Sequence, residues 1–220
     1  MRGGPAGQYA SFMTETVSQL ATLLERSPAA AAAGPDARVA IERAVAELVG
    51  ALRDHHNGTA EHSNRLAADC RTVGDELGLA ADEVVELELV AILHDIGKLA
   101  VPAAILDLAR PLKSRERAVV RAHTMRGAEI LAEIAGLAHL APYVRASHER
   151  WDGTGYPDRL FGDRIPLAAR IVFTVDAFDA MTNDRPYRVA LGRDEARRRI
   201  SAGAGTAFDP RVVRTLLAAV

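Results

Sequence analysis

The chain has one cysteine, Cys70, in 220 residues. This excludes an intramolecular disulfide framework and any cysteine-built zinc site, and fits a reducing, cytoplasmic setting. Aromatic residues are scarce, at 5%, and stretches alternating with the period of a strand are rare, which argues against a sandwich or barrel. No segment reaches the roughly 20 apolar residues that a membrane span requires, and the opening MRGGPAGQYASFMTE lacks the apolar core of a signal peptide. Neither charge is in excess: 27 Lys+Arg against 29 Asp+Glu gives a formal net charge of −2, so no broad basic field advertises a nucleic-acid polymer. The expectation is a soluble chain with no membrane insertion and no polymeric nucleic-acid partner.

What is present favours helices. Hydrophobic residues make up 49% of the chain, with Ala and Leu well ahead of β-branched and aromatic types. A short amphipathic helix is predicted over Tyr9 to Arg26, with Phe12, Val17, Leu20 and Leu24 on one side. An Ala/Pro/Gly-rich tether over 27–36 follows, so the expected organisation is an N-terminal extension, 1–36, and a single domain, 37–220. Within the domain, helical periodicity predicts helices from Ala37 to about Arg53, Glu61 to Leu77 with Gly78 as its stop, and Ala81 to His94 with Asp82 aiding the start. Further helices are predicted near Ser114–Val120, Met125–Ile134, Leu140–His148, Leu167–Met181, Arg193–Ser201 and Pro210–Ala219. Arg170 to Val175 has strand propensity, but its continuation through Ala177, Phe178 and Met181 suits a buried helix. The fold class expected is an all-α bundle.

The sharpest local signal is Ala91-Ile92-Leu93-His94-Asp95-Ile96-Gly97-Lys98, where three ionisable groups end an apolar helix and their burial demands compensation. Adjacent helical residues point about 100° apart, so His94 and Asp95 share an ion only along their common edge, and further ligands must come from other helices. His62, early on the preceding helix, and Asp176, inside a later apolar helix, complete a set of two imidazoles and two carboxylates suited to iron, manganese, zinc or magnesium. A second set follows: His123 ahead of Gly127, and His148 ahead of the turn-rich string Trp151-Asp152-Gly153-Thr154-Gly155-Tyr156-Pro157, which is predicted to be a loop beside the core.

Together these strings resemble the HD phosphohydrolase superfamily and, through Asp152 to Pro157, its HD-GYP branch of cyclic di-GMP phosphodiesterases. The resemblance extends from about Asp54 to Val213 and takes in Ile165-Pro166-Leu167, Asp176-Ala177-Phe178-Asp179-Ala180, Asp184-Arg185-Pro186-Tyr187-Arg188 and Phe208-Asp209-Pro210. It implies an HD-domain-like helical bundle with a helical N-terminal extension. It also implies two divalent ions, iron or manganese, the first held by His62, His94, Asp95 and Asp176 and the second by the shared Asp95 with His123 and His148. Lys98, Gly155, Tyr156, Arg185 and Arg188 match positions that contact the dinucleotide, and Asp95 and Lys98 match catalytic positions. The implied substrate is cyclic di-GMP, opened to pGpG and on to GMP, in bacterial signalling.

The pattern departs from the family at three places. Ser147 stands where a histidine ligand is usual, and a hydroxyl is a poor neutral donor beside imidazole, so a weak second site is expected. Gly58 removes a carboxylate that could serve a third ion, and Leu108 stands where lysine is common. Two other readings therefore stay open: a catalytically weak module that binds cyclic di-GMP or a signalling protein partner, and a hydrolase of another nucleotide phosphoester. The N-terminal helix is a candidate for homodimer formation.

Overall fold

The computed structural model describes residues 22–27, 32, 34–55, 59–184 and 189–220. The bulk of the predicted N-terminal helix lies outside them, but residues 22–26 are helical and place Leu23 and Leu24 in the main core. Ten helices follow: α1 (Pro35–His55), α2 (Thr59–Glu76), α3 (Ala81–Leu93), α4 (Ala103–Leu106), α5 (Ser114–Arg121), α6 (His123–Ala132), α7 (Ala141–Arg145), α8 (Leu167–Thr182), α9 (Arg193–Ala202) and α10 (Pro210–Ala219). Short 3-10 turns lie at Ile96–Ala100, Ala138–Leu140 and Gly162–Arg164. Among the described residues there is no strand, only one isolated bridge between Ala204 and Phe208, and no helix is long and apolar enough to cross a membrane.

The centre of the bundle is α3, buried continuously from Val84 to Leu93 except at Glu86. A helix that is apolar all round must be covered on every side, and α2, α7 and α8 supply the cover. The one buried acid on α3, Glu88, is compensated by Arg71 of α2, whose Nε donates to it at 2.9 Å. The start of α3 is capped differently from expectation. Glu83 rather than Asp82 accepts the Ala80 backbone N–H, at 2.9 Å, because the third helical position is the one from which a carboxylate reaches back to the cap.

Gly78 ends α2 with φ +75°, as a C-terminal glycine should. The ambiguous stretch Arg170 to Val175 is helical, inside α8. The predicted helix Leu140–His148 is shorter than expected. It ends at Arg145, and the Ser147 hydroxyl donates to the Val144 carbonyl at 2.8 Å, offering that carbonyl a side-chain partner in place of a continuing helical N–H. His123, expected just before a helix, is the first residue of α6.

Candidate metal centre

His94 caps the C-terminal end of the apolar helix α3, and Asp95 follows it at the start of the sharp turn Ile96–Ala100. That turn lies against α6 through two glycines. A Cβ built on Gly97 would stand 1.9 Å from the His123 carbonyl oxygen, and one on Gly127 would stand 3.0 Å from Val144 Cγ1. Only residues without side chains allow this approach, and it brings the α3 terminus to the start of α6, where His123 sits. The spacing of four residues between His123 and Gly127 thus reads as one helical turn, with the histidine and the contact glycine on the same face.

Two donor groups result. His62, His94 and Asp95 offer ligand atoms that all lie within 4.8 Å of one another, and so do Asp95, His123 and His148. Asp95 belongs to both: its Oδ2 lies 3.4 Å from His94 Nε2 and its Oδ1 lies 3.4 Å from His123 Nε2. Asp176 of α8 approaches the first group through an Oδ1 that is 3.0 Å from His62 Nε2.

The ring orientations fit a cation. His94 Nδ1 is 2.7 Å from the Ala91 carbonyl and His123 Nδ1 is 2.7 Å from the Val120 carbonyl. A carbonyl only accepts, so each Nδ1 carries the proton and each Nε2 presents a lone pair. His123 Nε2 is buried and has no hydrogen-bond partner. Such an orphan is unusual in a folded protein unless an ion or water fills the space.

Electrostatics agree with a site ready to bind positive charge. Burial alone would raise the Asp95 pKa, but His94, Lys98 and His123 together hold it well below the usual carboxylate range. Burial likewise opposes ionisation of Asp176, and the hydrogen bond from His62 with the charges of His94 and His148 outweighs it. His148 is pushed down to about 3 by burial and by the neighbouring His123, and burial lowers His123 too. Both are therefore neutral donors at physiological pH. His62 goes the other way: burial opposes its charge, but hydrogen bonds to Asp176 and Asp179 raise it to about 9.

At the rim, Lys98 Nζ lies 2.5 Å from Asp95 Oδ2. The Tyr156 ring stacks on His148 with centroids 5.3 Å apart and planes 10° from parallel. The guanidinium of Arg121 lies over the same Tyr156 ring at 4.9 Å, a residue the sequence reading did not single out. Its only sequence signal is its position two before His123 on the polar helix α5. The Asp152 to Pro157 segment is a loop as expected, pinned by Asp152 N–H to the Thr206 carbonyl at 2.8 Å and Trp151 N–H to Ala207 at 3.1 Å. Gly155 is pressed against the backbone of Glu149 and Arg150, where a Cβ would come within 2.3 Å of Arg150 N. Ser147 is buried with its hydroxyl on Val144. Arg185 and Arg188, like His56 and Gly58, lie outside the described residues. His55 and His139 stand apart from the centre, on the Val101 carbonyl and on Glu86.

Residues 47–212 match the family model described as HD domain. The chain is 36% identical over 211 residues to the cyclic di-GMP phosphodiesterase response regulator RpfG of Xanthomonas campestris, covering 93% of this chain and 54% of that protein. It is 35% identical over 184 residues to 3'3'-cGAMP-specific phosphodiesterase 2 of Vibrio cholerae, covering 83% of this chain and 35% of that one. The chain thus spans about half or less of the length of these two relatives. Among solved structures, the HD domain of L. monocytogenes phosphodiesterase PgpH in complex with cyclic-di-AMP aligns at 17% identity with a TM-score of 0.55, covering 78% of this chain and 94% of that one. An HDGYP protein of Bdellovibrio bacteriovorus aligns at 14% identity with a TM-score of 0.65, covering 94% and 69%. At these identities the structural likeness speaks for the fold alone.

Proposed function

The chain belongs to the HD domain family, and from that premise we propose that it is a metal-dependent phosphodiesterase hydrolysing cyclic di-GMP to pGpG and on to GMP. The observation that carries the reading is Asp95, itself buried and shared between two donor groups. In this reading the first ion, iron or manganese, is held by His62, His94, Asp95 and Asp176, and the second by Asp95, His123 and His148. When bound, such ions supply Lewis acidity at a phosphoryl oxygen and activate water, so no side-chain nucleophile is needed.

The chain's own groups bind and orient. Lys98, at the edge of Asp95, supplies a permanent positive charge toward a phosphate oxygen. Arg121 supplies a second over the Tyr156 ring, and Arg suits phosphate through its planar fork of donors. Tyr156 holds His148 by stacking and carries the Arg121 guanidinium over its ring, and its assignment to the dinucleotide follows from family resemblance. Gly155 lets the loop backbone close on residues 149–150, and Arg185 and Arg188 are assigned to the guanine and phosphate side by family resemblance. The single buried Cys70 supports a reducing, cytoplasmic setting. A homodimer through the part of the N-terminal helix ahead of Leu23 and a signalling protein partner are part of the same reading.

The test is anaerobic purification, reloading with Fe(II) or Mn(II), and product analysis with cyclic di-GMP and 3'3'-cGAMP offered in parallel. Metal-dependent conversion of cyclic di-GMP, abolished by a chelator, is expected. A specific observation favours a second reading, a binding module of weak activity: the Ser147 hydroxyl is turned to Val144 and supplies no donor in the place of a ligand. Calorimetric binding of cyclic di-GMP without turnover, together with turnover in Ser147→His, would decide for that alternative. Faster turnover of 3'3'-cGAMP would reassign the substrate.

A further inference from the structure

Asp179 lies three residues beyond Asp176 on α8, and its carboxylate meets the other nitrogen of the His62 ring. Its Oδ2 is 2.6 Å from His62 Nδ1, and only 5% of the residue is exposed. The remaining oxygen, Oδ1, accepts from Asn183 Nδ2 at 2.9 Å and lies 3.6 Å from Arg65 Nε. The carboxylate is therefore held from two elements, α2 and the end of α8, and a buried acid held in this way has a fixed direction.

His62 differs here from its neighbours. The rings of His94 and His123 are oriented by main-chain carbonyls three residues earlier in the chain, so local structure alone sets which nitrogen is free. The orientation of His62 depends on a side chain 117 residues away. A neutral imidazole carries one proton. Without an acceptor at Nδ1, the form with the proton on Nε2 becomes available, and that proton blocks the atom facing Asp176 and the metal centre.

We propose that Asp179 is the positioning residue of His62: it holds the proton at Nδ1, aims Nε2 into the first donor group, and through its negative charge makes the ring a stronger donor. The proposal rests on the metal-centre reading above. Partners of this kind typically govern about 10- to 100-fold in metal affinity.

The experiment is titration of the chelator-treated full chain with Mn(II), with free Mn(II) read by electron paramagnetic resonance, for the parent, Asp179→Leu, Asp179→Asn and His62→Ala. Folding of each is checked by circular dichroism. The expected result is graded: Asp179→Leu weakens one ion about 10- to 100-fold, while Asp179→Asn, whose amide oxygen still accepts from Nδ1, recovers part of the loss. A merely structural role gives no such rescue. If Asp179→Leu does not fold, Asp179→Ala, which also removes the acceptor but adds no bulk, takes its place, and parent-like affinity in it overturns the proposal. Parent-like affinity in Asp179→Leu, alongside loss of an ion in His62→Ala, overturns the positioning role but keeps the metal centre. Unchanged binding in His62→Ala overturns both.

Discussion

Removing metal from this protein should make its stability fall with rising pH across a range where most small proteins are nearly flat. In the metal-free chain the His62 imidazole sits between Asp176 at 3.0 Å and Asp179 at 2.6 Å, and its pKa rises from 6.5 to about 9. The folded state therefore holds that proton more tightly than the unfolded state. The stabilisation is fully present below pH 6.5, shrinks as pH rises through about 9, and is gone above it. A shift of this size corresponds to about 3 kcal/mol, at about 1.4 kcal/mol per pKa unit. The His62 side chain is only 11% exposed, so solvent screening takes little of it away. Urea unfolding of the chelator-treated chain at several pH values between 7 and 8 should show the midpoint falling throughout, at unchanged m. His62→Gln should abolish that slope. A midpoint that is flat or rising over this range, or a slope surviving in His62→Gln, would refute the argument. On the acid side the sign reverses, because burial depresses the pKa values of His148 and His123; each favours the folded state above pH 6.5 and loses its contribution as pH falls, His148 through about 3.

Mn(II) binding to the metal-free chain near pH 7.5 should release about one proton, since the ion displaces the His62 Nε2 proton; titration in buffers of differing ionisation enthalpy measures it. Ser147→His should tighten the second ion and raise turnover, read from metal stoichiometry and steady-state rates. Gly97→Ala places a Cβ 1.9 Å from the His123 carbonyl oxygen and must separate the Asp95 turn from α6. A loss of about 1–3 kcal/mol in stability and of the shared ion is expected from urea melts and metal analysis. Asp95→Asn, which removes the charge common to both donor groups, should abolish turnover and reduce bound metal at both positions.

The polar end of α3 was readable because His94 and Asp95 interrupt an apolar run, and burial of such groups has few explanations. The loop at 152–157 was readable from its glycines and proline. His62 and Asp176 required the resemblance as well, since a histidine on one helix and a carboxylate on another carry no local mark of their meeting. Asp179 and Arg121 escaped for related reasons. The first sits on an apolar helix where its partner is fixed only by how α2 packs on α8, and the second belongs to the polar helix α5, where arginine is the ordinary surface residue. The over-long helix predicted through His148 failed at Ser147, whose hydrogen bond to Val144 competes with helical continuation in a way periodicity does not register.

The contact between His62 and Asp179 also bears on folding. It ties together residues 117 positions apart, closing most of the bundle into one loop in a chain whose lone cysteine cannot form an internal cross-link. Closing so long a loop costs entropy that grows only slowly with its length, so one short imidazole–carboxylate bond can fasten α2 to α8 late in assembly without demanding that the intervening helices form in any order. The folding rate should then be less sensitive to His62 or Asp179 than the unfolding rate is, because a clasp made last is the first to open.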